Sequence, residues 1–356
     1  MKLKSIVLSV CGSLAVFGMA NASPLDTDPM LTLDNYSIPV GVKGAKIAKV
    51  ISSCGSHCSH EISIEKDTAG IFTVDKHGAI ALKKGVALKA DSPVFVYGIT
   101  IKSGCESKEF ELVKDQFIKN KVIAHRGAWK NHEASQNSRN SLKYAIEIGC
   151  EASELDVWMT SDGEIVLNHD PSVGGKVVED NTAADMATVP LKGGDYVTTL
   201  AQIIKDVKKQ NKTRIVIEIK ASLKSQERTD ELTAKVMKLV HDMKAQAWVA
   251  CYISFNYNSC LISAQMDPTA RTAYLSDDKS VNDLKAINMW GIDFNYKMFE
   301  KDANLIKDAH AAGMTVNVWT VNKKEDLVSF LDKGVDYITT NEPEMLLDII
   351  KEKKSK

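Results

Sequence analysis

The sequence predicts an α/β protein: a TIM (β/α)8 barrel over residues 117–356, preceded by an all-β sandwich over residues 23–116. Three observations point there. From about Lys121 onward, short strand-like runs alternate with helical ones, the rhythm of a parallel sheet covered by helices. The parallel runs number eight, in a stretch near the about 250 residues typical of a closed barrel. Upstream, short alternating segments and turn residues follow one another with little helical period, as in an antiparallel sandwich. An open doubly wound sheet is the alternative for the second region.

The chain has 356 residues, 44% of them hydrophobic, and a formal net charge of −1. That length allows two domains and a substantial core. A near-neutral balance without a basic run argues against nucleic acid as a partner. At the start, Lys2 and Lys4 precede an uncharged apolar run from Ser5 to Ala20, and Ala20-Asn21-Ala22 supplies a small-x-small cleavage pattern. The run is short for a membrane span. Residues 1–22 therefore predict a cleaved secretory signal peptide and an exported protein, periplasmic or secreted; an uncleaved anchor is the rival reading. Bulky Val10 before Cys11 argues against a lipoprotein site. No other stretch is apolar enough to cross a bilayer.

Beyond the signal, six cysteines remain: Cys54, Cys58, Cys105, Cys150, Cys251 and Cys260. An even count in an oxidising compartment permits disulfides without fixing their pairing. The run Cys54-Gly-Ser-His57-Cys58-Ser-His60 also offers zinc ligands, but its tight spacing makes four converging donors awkward, and a disulfide or thiol loop is preferred.

Within residues 23–116, "KIAKVIS", "HEISIEK", "GIFTVDKHGAIALKKG" and "VFVYGITIKSG" read as strands. In the second region the strands are "KVIAHRG", "ASELDVWMT", "EIVLNHD", "RIVIEIK", "WVACYIS", "TARTAYLS", "GIDFNY", "TVNVWTVN" and "VDYITTN". Only Ser161-Asp162-Gly163 separates the second of these from the third. A parallel crossover needs a dozen residues or more, so this pair is an antiparallel hairpin turned at Asp-Gly. Setting "EIVLNHD" aside leaves eight parallel strands.

In such a barrel, function gathers where strands end. His125 and Arg126 end the first strand, Glu154 and Asp156 lie in the second, and His169 and Asp170 end the hairpin. Glu218 and Lys220 end "RIVIEIK", and Trp319 lies near the end of "TVNVWTVN". Side-chain period 2 puts Ile215, Ile217 and Ile219 on the helix-facing side, so Glu218 and Lys220 point to the barrel axis. Glu154 and Asp156 likewise share a face. One inward charge pair fits a structural salt bridge; the same habit on several strands at one end argues for a site.

Glu154, Asp156 and Glu218 form a hard oxygen set suited to one divalent cation, Ca2+ or Mg2+, rather than zinc. Three carboxylates, a dication and the charges of Arg126 and Lys220 sum to +1, which a singly charged phosphodiester neutralises. His125 and His169 come from different elements. One can take a proton from the nucleophile while the other gives one to the leaving alkoxide.

These residues resemble the glycerophosphodiester phosphodiesterase family. Its His-Arg-Gly matches His125-Arg126-Gly127, its Glu-x-Asp matches Glu154 and Asp156, its His-Asp matches His169-Asp170, and its Glu-x-Lys matches Glu218 and Lys220. Ser254-Phe255 and Trp319-Thr320-Val321-Asn322 match later elements, in order, from about residue 121 to 345. The resemblance implies a TIM barrel that hydrolyses glycerophosphodiesters to an alcohol and glycerol 3-phosphate. It also implies a divalent cation on the three acids, His125 and His169 as acid and base, and Arg126, Lys220 and Trp319 toward substrate.

Two positions depart from that pattern. The family's Glu-Asn-Thr is Gln136-Asn137-Ser138 here, which removes a negative charge near Arg126. Its Thr-Asp before the last proline is Thr340-Asn341, a rim change. The Gly-rich loop from Pro171 to Val197 stands where a substrate-capping insert is expected, as a mobile lid or a plain surface excursion. Upstream, "FTVDKHGAIALKKG" resembles the cadherin-like repeat, without the acidic calcium linkers, so calcium-mediated adhesion does not carry over; the sandwich is left to dock an unknown protein or surface partner. Other readings keep the barrel but give it a lipid phosphodiester, in the manner of lysophospholipase D or phosphatidylinositol-specific phospholipase C, or make it a non-catalytic binder.

Overall fold

The computed structural model describes residues 25–51 and 61–355. The signal-peptide reading at residues 1–22 and the Cys54–His60 run lie outside the described residues. Among the described residues, no helix is long and apolar enough to cross a membrane.

Two four-stranded sheets precede the barrel. One is ordered Thr32–Leu33, Lys46–Ile51, Ala79–Leu82, Phe72–Val74; the other Ser37–Ile38, Glu106–Lys114, Val96–Ser103, Ile62–Asp67. The pairs are antiparallel except Ser37–Ile38 with Glu106–Lys114, which is parallel. Sequence reading finds the strands around Lys46, Ile62, Phe72, Ala79 and Val96 but misses Glu106–Lys114. Its first half, Glu-Ser-Lys-Glu, carries no β-branched or aromatic residue, and only Phe110, Leu112, Val113 and Lys114 are buried. Leu33, Ile47, Phe72, Ile99 and Phe110 join one apolar cluster that continues into the barrel's outer layer at Trp248, Tyr252 and Met266. Met30 N–H donates to Met266 C=O (2.8 Å), Asn211 Nδ2 to Lys114 C=O (2.9 Å), and Lys208 pairs with Glu111 (2.9 Å). The sheets are thus fastened to the barrel.

The barrel strands are β1 (Val122–Ala124), β2 (Ala152–Met159), β3 (Arg214–Ile219), β4 (Val249–Ser254), β5 (Thr272–Tyr274), β6 (Gly291–Asn295), β7 (Thr315–Trp319) and β8 (Tyr337–Thr340). Each pairs in parallel with its successor, and β8 pairs with β1, so the sheet closes. Closure excludes the open doubly wound alternative. Ile165–Leu167 returns antiparallel on β2, with Met159 opposite Ile165 and Gly163 at φ +82° in the turn. The intervening helices start where sequence chemistry caps them: Ser138, Thr199, Ser225, Asn256 and Ser280 each accept the N–H three residues on.

The facing expected for β3 holds. Ile215, Ile217 and Ile219 pack with Ile203, Ile204, Val207 and Val236 of the covering helices, whereas Val216 meets Ile123, Ala152, Cys251 and Ala273 inside the barrel. Glu218 continues the inner row. Cys150, Cys251 and Cys260 are buried free thiols, so none of these three takes part in a disulfide.

The segment from Pro171 to Val197 is neither a bare excursion nor an unanchored flap. It forms a small hairpin (Ser172–Val173 with Lys176–Val177) and a helical turn at Ala183–Met186. Val178, Met186, Val189 and Val197 pack on Trp158 and Val166 as a separate apolar cluster. Buried Glu179 fastens it, accepting from Ser222 Oγ (2.5 Å), Leu223 N–H (3.0 Å) and Arg228 Nε (2.9 Å).

Candidate active site

The C-terminal ends of β1, β2 and β3 bring their polar residues to one place. After Ala124 the chain turns sharply: Arg126 has φ +59° and Gly127 φ +84°. A Cβ at residue 127 would lie 2.3 Å from Ser141 Oγ and 2.8 Å from the Ser141 carbonyl carbon, so glycine alone fits between this turn and the first helix. The turn aims the Arg126 N–H at Glu154 Oε2 (2.8 Å) and sets the guanidinium Nε 3.7 Å from Asp156 Oδ2.

Glu154, Asp156 and Glu218 are all buried, and each offers a carboxylate oxygen within 4.8 Å of the other two. Lys220 Nζ bridges two of them, donating to Glu218 Oε1 (2.6 Å) and Asp156 Oδ1 (3.1 Å). Glu154 Oε1 is buried with no hydrogen-bond partner. Burial, then repulsion from Asp156 and Glu218, raises the Glu154 pKa well above its ordinary value. Burial and the Asp156 charge push Glu218 up to about 7. Burial would depress the Lys220 ammonium, but Asp156 and Glu218 outweigh it and hold its pKa above the ordinary lysine value.

A cluster of three carboxylates that resists full ionisation, with one buried oxygen lacking any donor, fits a divalent cation. The donors are all hard oxygens, which suits magnesium or calcium and not a soft-ligand metal.

His125 follows β1, its N–H donating to Thr340 C=O (2.9 Å) and its Nδ1 lying 2.8 Å from Asn341 Oδ1. Burial above all, then the neighbouring Arg126 charge, lowers its pKa to about 4, with His169 acting in the same direction. His169 stands partly exposed at the end of the hairpin, its Nδ1 2.8 Å from Asp170 Oδ1. Trp158 Nε1 donates to the His169 carbonyl (3.2 Å) and fixes the backbone there. Trp319 lies across the barrel mouth, its Nε1 donating to Asp293 C=O (2.8 Å) and its ring edge-on to Phe255 at 5.6 Å.

The structure thus brings Glu154, Asp156, Glu218, Lys220 and Arg126 into contact, with His125 near enough to feel the charges of Asp156 and His169; Trp319 sits with Phe255 on the far rim. Sequence reasoning passed over two supporting residues. Asn137, itself at φ +54°, accepts the Asp156 N–H (2.9 Å) and donates Nδ2 to Asp156 Oδ2 (2.8 Å). Asn341 is no mere rim change, because it touches His125. Gln136 keeps a hold on the arginine, accepting from Arg126 Nη1 at 2.6 Å, while Arg126 Nε is buried with no hydrogen-bond acceptor.

The family model for the glycerophosphoryl diester phosphodiesterase family matches residues 125–345, more than half of the sequence. The chain belongs to that family. It is accordingly an enzyme of the phosphoric diester hydrolase class, and the strands before residue 125 lie outside the match. A crystal structure of a glycerophosphodiester phosphodiesterase from Parabacteroides distasonis is 34% identical, with a TM-score of 0.64, covering 67% of this chain and 99% of that one. The glycerophosphodiester phosphodiesterase of Caldanaerobacter subterraneus subsp. tengcongensis is 27% identical over 247 residues, 66% of this chain and 99% of that protein. A phosphodiesterase from Oleispira antarctica, solved with the product sn-glycerol-3-phosphate, shares the fold at 21% identity and a TM-score of 0.55, covering 65% of this chain and 96% of that one.

Proposed function

We propose that this enzyme hydrolyses glycerophosphodiesters to an alcohol and glycerol 3-phosphate, with Ca2+ or Mg2+ on Glu154, Asp156 and Glu218 and proton transfer by His125 and His169. The observation that carries this reading is the cluster of three buried carboxylates within 4.8 Å of one another, with His125 close enough to feel the charges of Asp156 and His169. When bound, the cation supplies positive charge for a phosphoryl oxygen. Arg126, beside Asp156, and Lys220, bonded to Asp156 and Glu218, add positive charge to the same site for the anionic phosphodiester. His125, held neutral at pH 7, suits removal of a proton from the nucleophile. His169, backed by Asp170, suits protonation of the leaving alkoxide on the other side. Water and the glycerol 2-hydroxyl both remain chemically competent as the nucleophile. The product held by the Oleispira antarctica barrel is of the class drawn here.

His125→Ala and His169→Ala should each lower kcat on glycerophosphocholine by about a hundredfold or more, and chelator should abolish turnover until Mg2+ or Ca2+ is restored. Wild-type rates in both variants would remove the histidines from the mechanism.

One observation favours a lipid-like alcohol as a second reading. Leu223, 72% exposed after β3, and Phe255, 46% exposed after β4, leave apolar surface at the barrel mouth. Faster cleavage of a lysophospholipid than of glycerophosphocholine would select it. We further read residues 1–22 as a signal that exports the protein. In the same reading the two upstream sheets are a cadherin-like sandwich, residues 23–116, accessory to a catalytic unit over 117–356.

A further inference from the structure

We infer that Asn341 is a positioning residue for the reaction: its side-chain oxygen holds His125 as the neutral tautomer protonated at Nδ1, which leaves Nε2 bare toward the substrate. The inference rests on the reading of His125 as proton acceptor and goes beyond it by naming what makes the ring one.

The geometry is set by barrel closure. Thr340 of β8 pairs with Ala124 of β1, so the residues that follow, Asn341 and His125, emerge side by side. The Thr340 carbonyl takes the His125 N–H at 2.9 Å, and Asn341 Oδ1 then lies 2.8 Å from Nδ1. An amide oxygen only accepts, so the proton of that hydrogen bond belongs to Nδ1. A neutral imidazole carries one N–H, and Nε2 is left with its lone pair.

Asn341 is itself braced. Its N–H donates to Asn322 Oδ1 (2.8 Å), the oxygen that also accepts from Thr340 Oγ1 (3.2 Å). Thr340 Oγ1 in turn accepts the Glu342 N–H (2.9 Å), and Glu342 is ion-paired to Lys130 on the loop that follows His125. The Asn341 backbone is therefore held from the loop after β7, from its own turn and from the β1 loop, which is the support a tautomer-selecting contact needs. Around the ring stand Arg126 from its own loop, Asp156 from β2 and His169 from the hairpin.

The test uses the full chain loaded with Mg2+ or Ca2+ and labelled with 15N-histidine, with the His125 signals assigned by their loss in His125→Ala. At pH 7 the expected pattern is a protonated-type Nδ1 and an unprotonated-type Nε2. Asn341→Leu should lose that pattern and lower kcat on glycerophosphocholine at least about tenfold with KM little changed. Asn341→Asp, which has the same shape and keeps the acceptor oxygen, should recover most of the lost kcat. An Nε2-protonated ring in the wild-type protein, or wild-type kcat in Asn341→Leu, overturns the inference. Asn341→Asp folded but as slow as Asn341→Leu does so too. Loss of turnover in His125→Ala alongside normal turnover in Asn341→Leu would reject the positioning role alone, whereas full turnover in His125→Ala would reject both it and the reading beneath it.

Discussion

Replacing Glu154 with glutamine removes one of three buried negative charges and keeps the side chain's length. At 4.8 Å, two such charges repel by about 3.5 kcal/mol in a medium of effective dielectric constant near 20. Lys220 and Arg126 offset part of this, and a second limit applies. A carboxyl with an ordinary value of 4.5 can escape the repulsion by holding a proton, which at pH 7 costs no more than about 3.4 kcal/mol. In chelator, Glu154→Gln should therefore stabilise the protein by about 1–3 kcal/mol, a rise in Tm of roughly 1.5–4 °C for a chain of this length. The glutamine NH2 can also take the place of the partnerless Oε1 and donate to a neighbouring acid. The sign with pH follows from the direction of the shift. The folded pKa is raised, so the Glu154 contribution is fully present below 4.5 and is lost as pH rises toward the folded value. The gap between wild type and variant should then narrow between pH 7 and pH 5. Adding Mg2+ or Ca2+ should reverse the order, because the wild type gains about 2.7 kcal/mol at a hundred times Kd and the variant has lost a ligand. Thermal unfolding followed by circular dichroism reads all four conditions. A variant less stable than wild type in chelator, or equally stabilised by the cation, would refute the idea of a repulsive cluster built to bind one.

Three further outcomes follow from the same coordinates. Glu179→Ala leaves the mostly buried Arg228 without its carboxylate and frees the segment from Pro171 to Val197, so urea unfolding should show a loss of about 3 kcal/mol and limited proteolysis should cut that segment faster. His125, with a folded value of about 4 against 6.5, binds its proton more weakly when folded; its contribution to stability is present above pH 6.5 and lost as pH falls through 4. If His125 is the proton acceptor proposed above, the acid limb of kcat/KM should lie below pH 5, and a limb at 6.5 would show the ring to be solvated. A chain begun at Asp115 uncovers Trp248, Tyr252 and Met266 and should melt at least about 10 °C lower while keeping kcat, since among the described residues none upstream of Asp115 is hydrogen-bonded or ion-paired to the proposed catalytic groups; an unchanged Tm would show the sheets to be loosely tethered.

Much of the barrel was legible because its signals are local. The Asp162-Gly163 turn and the three-residue gap force the hairpin, and the isoleucine row at 215, 217 and 219 turns Glu218 inward by period alone. The acids, Arg126 and Lys220 were legible for the same reason: Arg126, Glu218 and Lys220 sit at strand ends, and Glu154 and Asp156 share one face of β2. What escaped depends on which strands meet in space. Asn341 lies beside His125 because β8 closes on β1, and with the barrel already expected, pairing the first and last strands would have found it. Asn137 binds Asp156 through a left-handed turn that no periodicity encodes. Glu106–Lys114 was overlooked because its outward half is charged, and the Pro171–Val197 segment because its apolar residues are too scattered to show a period.

The central claim is met most directly by anomalous diffraction from crystals grown with Mn2+ and glycerol 3-phosphate. The expected result is one strong peak about 2.0–2.6 Å from an oxygen of each of Glu154, Asp156 and Glu218, with the phosphate lying between His125 and His169. A peak elsewhere, or a phosphate bound away from both rings, would contradict the account.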